Sequence, residues 1–299
     1  MKKTVAFAYH NIGVSGIKKL IKYNYKLKLV VTHLDNKDEK IWFESVSKIC
    51  RKKNIKYIYF EKTNFSELFK KINLIKPEYI FSFYFRKIFP KKILSLPSIS
   101  FMNMHGSYLP NYRGAAPLNW QLICGEKKGG VTLHKVNEKI DAGEIICQKS
   151  FRISKNDNPL SLSRKINKKS EIILDEILPN IDKKIQNAKK QTLKGYKVFK
   201  KRGPEDGKIF WKDNVIKINN LVRGITSPFP GAFTFYKNNK IIIWESRIDY
   251  TKKEKSTKRF GYFYKNKQYY KVVTGKGTLV IVKMSKDYLL PKEGVFNSE

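Results

Sequence analysis

An alternation between Thr4 and Phe83 constrains the fold more than anything else in the chain. Apolar runs at Thr4–Ala8, Leu27–Thr32, Ile55–Phe60 and Tyr79–Phe83 are separated by stretches such as Ile41–Lys53 and Phe65–Ile75, whose apolar residues recur at helical spacing. Short runs that are apolar on both faces suit strands covered from both sides, and such strands need helices above and below. The β-α-β-α-β-α-β order predicts an α/β protein with a doubly wound, mostly parallel sheet. Between the first two runs, HNIGVSGIKKLI reads as a loop holding Gly13 and Gly16 that leads into a helix. Ligands of such sheets lie outside the carboxyl ends of the strands. That rule puts His10, Phe85–Phe89 and the segment after Ser100 on one rim.

The strand pattern continues through Ile99–Met104, Val131–Val136 and Glu144–Ser150, with helices expected over Pro117–Cys124 and Leu160–Leu178. Composition then changes. KKQTLKGYKVFKKRGPEDG, from Lys189 to Gly207, is basic, contains glycine and lacks periodicity, so the chain divides into a domain over 1–190, a linker over 191–207 and a second domain over 208–299. The second domain opens with a helix over Val215–Gly224. Its β-rich runs at Ala232–Tyr236, Lys240–Ile248, Gln268–Thr274 and Thr278–Met284 predict a small, OB-like β-barrel. TGKGT at Thr274–Thr278 lacks Walker spacing and reads as a hairpin turn, and the KKEKSTK tract at Lys252–Lys258 as a solvated loop.

Several classes are excluded. GVSGI is not a GxGxxG fingerprint, and Thr32 and His33 stand where a dinucleotide site needs an acid. Cys50, Cys124 and Cys147 are odd in number and without CxxC spacing, which argues against disulfides and zinc and for a reducing cytoplasm. No apolar run approaches the roughly 18 residues of a membrane span, so no membrane insertion is expected. The net charge of +37 suggests a polyanionic partner such as tRNA. However, 53 of the 62 basic residues are Lys, scattered among Ile, Asn and Tyr, a mix that compositional drift also produces.

Polar residues are densest in FMNMHGSYLPNYRGAAPLNWQLICGEKKGGVTLHKVNEKIDAGEII, from Phe101 to Ile146. Strand residues alternate faces, so Asn103 and His105 point the same way at a strand's carboxyl end. A later turn, Asp141-Ala142-Gly143, can bring an acid beside them. An amide, an imidazole and a carboxylate suit attack of an amine on a carbonyl. Asn103 would donate to the developing oxyanion, His105 would move the proton, and Asp141 would orient the imidazole and favour its charged form. His134, inside the VTLHKV strand, reads as a structural or surface histidine. His10 is a candidate for lining the rim, His33 less so.

This stretch is similar to the 10-formyltetrahydrofolate-dependent formyltransferases, whose pattern is an Asn-x-His strand end, an H-x-S-L-L-P-x-Y-R-G loop and a D-x-G turn. FAYHNIGVSGI, THLDNKDEK, FSFYFRKI, RGPEDGKIFW and SPFPGAF extend the resemblance over nearly the whole chain, closest to the UDP-4-amino-4-deoxy-L-arabinose formyltransferase domains of bifunctional lipid A-modifying enzymes. The resemblance implies a Rossmann-like formyltransferase fold with a C-terminal barrel, and Asn103, His105 and Asp141 as the catalytic three. It implies that 10-formyltetrahydrofolate, the cosubstrate, is held by Lys87, Ile88, Phe89, Asn137, Glu138, Lys139 and Ile140, and that no metal is needed. His10, Tyr84 and Arg202 become candidates for binding a nucleotide-linked sugar. Methionyl-tRNA formyltransferase, acting on initiator tRNA, is the alternative; the start of this chain lacks that group's F-A-G-T-P pattern. Two departures stand out. Tyr108 replaces a Leu of the loop, and Ala115 stands where the arabinose enzymes have an Arg that contributes to folate binding. The chain ends where the bifunctional enzymes begin a decarboxylase domain, which implies a stand-alone formyltransferase.

Overall fold

A computed structural model describes residues 2–35, 40–250, 259–285 and 288–297. The Lys252–Lys258 tract and residues 36–39 of THLDNKDEK lie outside the described residues. The chain divides into two compact units. One comprises Met1–Pro117, Lys128–Arg152 and Ser163–Phe199; the other comprises Leu118–Lys127, Ile153–Leu162 and Lys200–Glu299.

The first unit is built on strands β1 (Lys3–Ala8), β2 (Lys26–Thr32), β3 (Tyr57–Tyr59), β4 (Tyr79–Phe83), β5 (Ser100–His105), β7 (Lys128–Lys135) and β8 (Ile145–Arg152). Two short strands, β6 (Arg113–Gly114) and β9 (Val198–Phe199), pair with each other in parallel. The large sheet runs in the order β3-β2-β1-β4-β5-β7-β8. Its first five strands are parallel, and β7 and β8 are antiparallel additions at one edge. The strand order reverses between β1 and β4, so the crevice outside their carboxyl ends is the switch point where such sheets bind ligands. His10 follows β1 and Tyr84 follows β4. Val5, Phe7, Leu29, Val31, Ile80 and Phe101 fill one side of the core with Leu68 and Ile72.

Helices α1 (His10–Lys22), α2 (Val46–Lys52), α3 (Phe65–Ile75) and α4 (Lys91–Leu94) connect the parallel strands. The helix α1 starts at His10, where a loop was expected, and both glycines lie inside it. The close approach of helix and sheet explains this: a Cβ on Gly16 would sit 2.6 Å from the Phe83 ring, and one on Gly13 would sit 3.0 Å from the Ala8 backbone. The helix expected over Ile41–Lys53 is confined to α2. The Ser45 side chain accepts from Lys48 N and caps it there, while Trp42 and Phe43 pack on the His10 ring, with centroids 4.4 and 4.2 Å away.

Two further helices, α5 (Pro117–Ile123) and α6 (Pro159–Ile177), and α7 (Ile181–Gln186) follow in the chain. The segment over 191–207, expected as a linker, carries β9 and a 3-10 turn at Pro204–Gly207.

In the second unit, α8 (Val215–Ile225) is capped by the Asn214 side chain on Lys217 N at 2.8 Å. Strands β10 (Ala232–Tyr236), β11 (Asn239–Asp249), β12 (Tyr262–Asn266), β13 (Tyr269–Val273), β14 (Thr278–Met284) and β15 (Glu293–Val295) form an antiparallel sheet in the order β10-β11-β14-β13-β12-β15. Just past β15, Asn297 N donates to Phe235 O of β10 at 2.8 Å. The last segment thereby returns to the first strand and curls the sheet into a small barrel around Trp211, Ile243, Phe263, Leu279 and Phe296. Thr274–Gly277 is the β13–β14 turn, with Gly277 at φ 95. Arg223 donates to Leu122 O, Ser154 O and Asp157 O, tying the two earlier pieces of chain in this unit to α8.

Candidate active site

The period of β5 sets Asn103 and His105 on one face, and the β7–β8 connection delivers Asp141 to them. Asn103 Nδ2 donates to Asp141 Oδ1 at 3.4 Å, and His105 Nδ1 lies 3.5 Å from Asp141 Oδ2. The same Oδ2 accepts the Gly114 N–H at 2.8 Å. His105 Nε2 donates to Tyr112 O at 2.8 Å, so both ring nitrogens face an oxygen acceptor. Burial would push the Asp141 carboxyl up. The His105 imidazolium first, and the Gly114 N–H after it, outweigh it and hold the carboxyl well below the usual carboxylate range.

The loop after β5 supplies two of these backbone groups, so its anchoring matters. Thr132 Oγ1, on β7, donates to Ser107 O at 2.8 Å and accepts from Leu109 N at 3.1 Å. Gln148 Nε2, on β8, donates to Leu109 O at 2.7 Å. Ser107 Oγ donates to Asn111 O at 2.5 Å. The hydroxyls and the amide of the antiparallel edge therefore hold the loop that presents Tyr112 O and Gly114 N.

His134 belongs to this cluster, which sequence reasoning missed. It pairs with Asn103 across β5 and β7 and is 1% exposed. Its Nε2 lies 3.3 Å from Asn103 Nδ2 and 3.5 Å from Asp141 Oδ1. The usable signal was the antiparallel register, which sets His134 directly opposite Asn103; a period along one strand does not report it.

The two segments expected at the folate are joined by a Glu138–Lys91 ion pair of 3.0 Å, just beyond Lys87–Phe89. The Phe89 ring packs on Phe101 at 4.7 Å and Phe7 at 4.8 Å, so its side chain serves the core and only its backbone is free for a ligand. Ile88 is 75% exposed, and Ile140 is exposed as well. Lys87 Nζ lies 5.6 Å from the Phe60 ring. Asn137 accepts from Lys139 N at 3.1 Å. A cavity of about 650 Å³ is lined by Lys135, Asn137–Lys139, Gly143 and Gln191.

His10 and Tyr84 come together at the switch point, with ring centroids 4.9 Å apart. His10 is 2% exposed, and neither ring nitrogen has a partner among the described residues. Burial first, and Arg86 second, lower its pKa to about 3. Arg202 lies in the other unit. Its guanidinium sits 4.8 Å from the Trp120 ring centroid and donates to Asp206 O at 2.6 Å. Among the described residues no group of three or more His, Cys, Asp or Glu is placed to hold a metal, and no helix is long and apolar enough to cross a membrane.

A doubly wound sheet with an Asn/His/Asp cluster at its carboxyl rim, together with a small antiparallel barrel, defines a two-unit α/β protein of the group-transfer type. Residues 17–178 match the family model for formyl transferase, and residues 201–288 match that for the formyl transferase C-terminal domain; the chain belongs to the formyl transferase family. It is 44% identical over 249 residues to the bifunctional polymyxin resistance protein ArnA of Wigglesworthia glossinidia brevipalpis, a match covering 83% of this chain and 38% of that protein. The chain thus spans well under half of that relative. The fold is shared with an N-formyltransferase from Helicobacter canadensis, solved with folinic acid and dTDP-3-aminofucose (TM-score 0.72, 22% identity, 94% of this chain and 99% of that one). It is also shared with WlaRD, a sugar 3N-formyl transferase solved with dTDP and 5-N-formyl-THF (TM-score 0.67, 23% identity, 97% and 99%). Methionyl-tRNA formyltransferase from Clostridium thermocellum is similar at a TM-score of 0.56, with 24% identity over 84% of this chain and 96% of that one.

Proposed function

We propose that the chain transfers a formyl group from 10-formyltetrahydrofolate to the amino group of a nucleotide-linked 4-amino sugar, with UDP-4-amino-4-deoxy-L-arabinose as the acceptor. The 44% identity to ArnA over 83% of the chain carries this reading. The folate and the dTDP-aminosugar bound by the Helicobacter enzyme support the class of both substrates.

In the mechanism, the sugar amine attacks the formyl carbon directly, and the carbonyl oxygen becomes an oxyanion. One Asn103 N–H, turned away from its long 3.4 Å contact with Asp141 Oδ1, donates to that oxygen while the other stays on His134. His105 takes the proton from the attacking nitrogen and returns one to the departing N10 of the folate, so the C–N10 bond breaks as the amide forms. Asp141 holds the imidazole ring and stabilises its charged form. His134 keeps the Asn103 amide nitrogen turned inward. Lys87–Phe89 and Asn137–Ile140 line the folate through backbone, while His10 and Tyr84 lie on the acceptor side. Arg202 is assigned to acceptor binding on the motif alone. Catalysis is assigned to residues 1–190 and the barrel to 208–299. The cytoplasm is the proposed compartment, a placement to which the free Cys50, Cys124 and Cys147 add support.

The test is incubation with 10-formyltetrahydrofolate and the UDP-amino sugar, following formamido sugar by mass. Absence of turnover at high enzyme concentration overturns the reading. Charged initiator tRNA is the control arm, motivated by the net charge of +37. Its formylation, with affinity falling steeply as salt rises, would move the acceptor to tRNA.

A further inference from the structure

The turn that presents Asp141 is held from behind by a residue of the segment expected as a linker. Gln191 Nε2 donates to Asp141 O at 3.0 Å and to Gly143 O at 2.7 Å. Both partners are acceptors, which fixes the amide orientation with its NH₂ toward the turn. The other end, Oε1, is buried without a partner among the described residues. An unpaired buried amide oxygen is costly, and it is accepted here while both N–H groups reach the turn.

The turn needs such a hold. Asp141 has φ 46, in the left-handed region that a residue with a side chain rarely adopts. Gly143 is pressed so close to β7 that a Cβ would lie 1.8 Å from Lys135 O. The Asp141 carboxylate must meet Gly114 N at 2.8 Å and His105 Nδ1 at 3.5 Å at the same time, so a small rotation of the turn loses both. Gln191 is itself well placed to resist that rotation. Two residues earlier, Lys189 and Ile145 exchange backbone hydrogen bonds of 2.9 and 2.7 Å, which docks this segment on the start of β8.

We infer that Gln191 is a positioning residue: its amide clamps the 141–143 turn so that the Asp141 carboxylate stays aligned with His105 and Asn103. The activity arm of its test rests on the formyl-transfer reading; the spectroscopic arm does not.

Gln191→Glu keeps the shape and replaces both donors with acceptors, and Gln191→Leu removes them. For each variant, kcat is expected to fall on the order of 10-fold to 100-fold, with the KM for folate and for acceptor changed less than about twofold. In an Asp141→Asn background the same substitutions should cost nothing further, because the positioned group is already gone. A residue that only holds the fold together would lower activity by the same factor in both backgrounds. Independently of turnover, ¹³C NMR of aspartate-labelled protein should show the Asp141 carboxyl titrating nearer the ordinary range in either variant than in the wild type. An unchanged kcat, an undiminished loss in the Asp141→Asn background, or an unmoved Asp141 titration overturns the clamp. If the wild type forms no formamido sugar, the functional reading falls and the NMR comparison alone decides the clamp.

Discussion

Asn103 and His134 stand opposite each other in the antiparallel β5–β7 pair, with the amide nitrogen of one 3.3 Å from Nε2 of the other. His134 Nδ1 lies 2.7 Å from Lys135 O, so its proton sits there and Nε2 presents a lone pair. That lone pair selects the NH₂ end of Asn103 and keeps the amide oxygen out of the site. His134→Phe removes the acceptor and lets the amide flip. We expect kcat to fall about 10-fold with KM unchanged, less than the roughly 10²-fold or greater loss from deleting an oxyanion donor outright. In an Asn103→Ala background the second substitution should have no effect. Steady-state kinetics on the four proteins checks this, and equal losses in both backgrounds would refute it.

The depressed Asp141 carboxyl links the site to acid stability. A carboxyl whose folded pKa lies below its unfolded value contributes stability that is complete above the unfolded value, about 3.9, and drains away as the pH falls through the folded one. Asp141→Asn should therefore lose stability relative to wild type at pH 7, and the gap should be narrower at pH 3, because it begins to shrink below about pH 4 and closes only as the pH falls through the folded value. Urea midpoints at the two pH values measure it. Formyl transfer in the same variant should drop roughly 100-fold, because the His105 ring loses its charged partner.

How much of this was legible beforehand depends on whether the cause was local. The four apolar runs of the parallel sheet were readable because each is locally apolar, most plainly β1 and β4, which are buried almost throughout, while β3 at the sheet edge is only half-buried. Asn103 and His105 followed from the period of a single strand. His134 was not readable, because its meaning lies in the register of two strands whose connection passes through another unit. Gln191 was hidden by its basic, aperiodic surroundings, although Lys189 beside it pairs with Ile145. β12 reads YFYKN, with a charged, polar end that masks a strand whose Phe263 is fully buried. The glycines of α1 pointed to a loop because propensity disfavours them in helices, and only the packing against Phe83 shows why they are there.

Gly16 is accordingly a stability determinant, and not a hinge. Its missing Cβ leaves the space in which the Phe83 ring lies, 2.6 Å from where that atom would be. Phe83 is fully buried and has no room to yield. Gly16→Ala should cost about 1–3 kcal/mol as an overpacked core. Gly203, with nothing within 4 Å of its would-be Cβ, is the matched control, and Gly203→Ala should stay within about 0.5 kcal/mol. Thermal unfolding of both variants separates the two expectations; equal shifts would contradict the packing argument.

His10 makes the folded chain sensitive to mild acid. Its ring is enclosed by Trp42, Phe43 and Tyr84, and burial, reinforced by Arg86, lowers its pKa to about 3. The unfolded chain takes up a proton at this position below about pH 6.5, while the folded chain does so only near pH 3. Between those values the unfolded state binds more protons, so stability falls as the pH drops. At pH 5 the single site costs about 2 kcal/mol relative to a residue that does not titrate. His10→Asn keeps a side chain that tolerates the φ of 63 and removes the titration. Whatever packing it forfeits is lost at every pH. The variant should therefore gain about 2 kcal/mol on wild type between pH 7.5 and pH 5, a difference that survives even though His33, also lowered by burial, titrates in both proteins. Urea unfolding of the two proteins at both pH values measures it, and a gap that does not change with pH would mean that His10 is not held neutral in the fold.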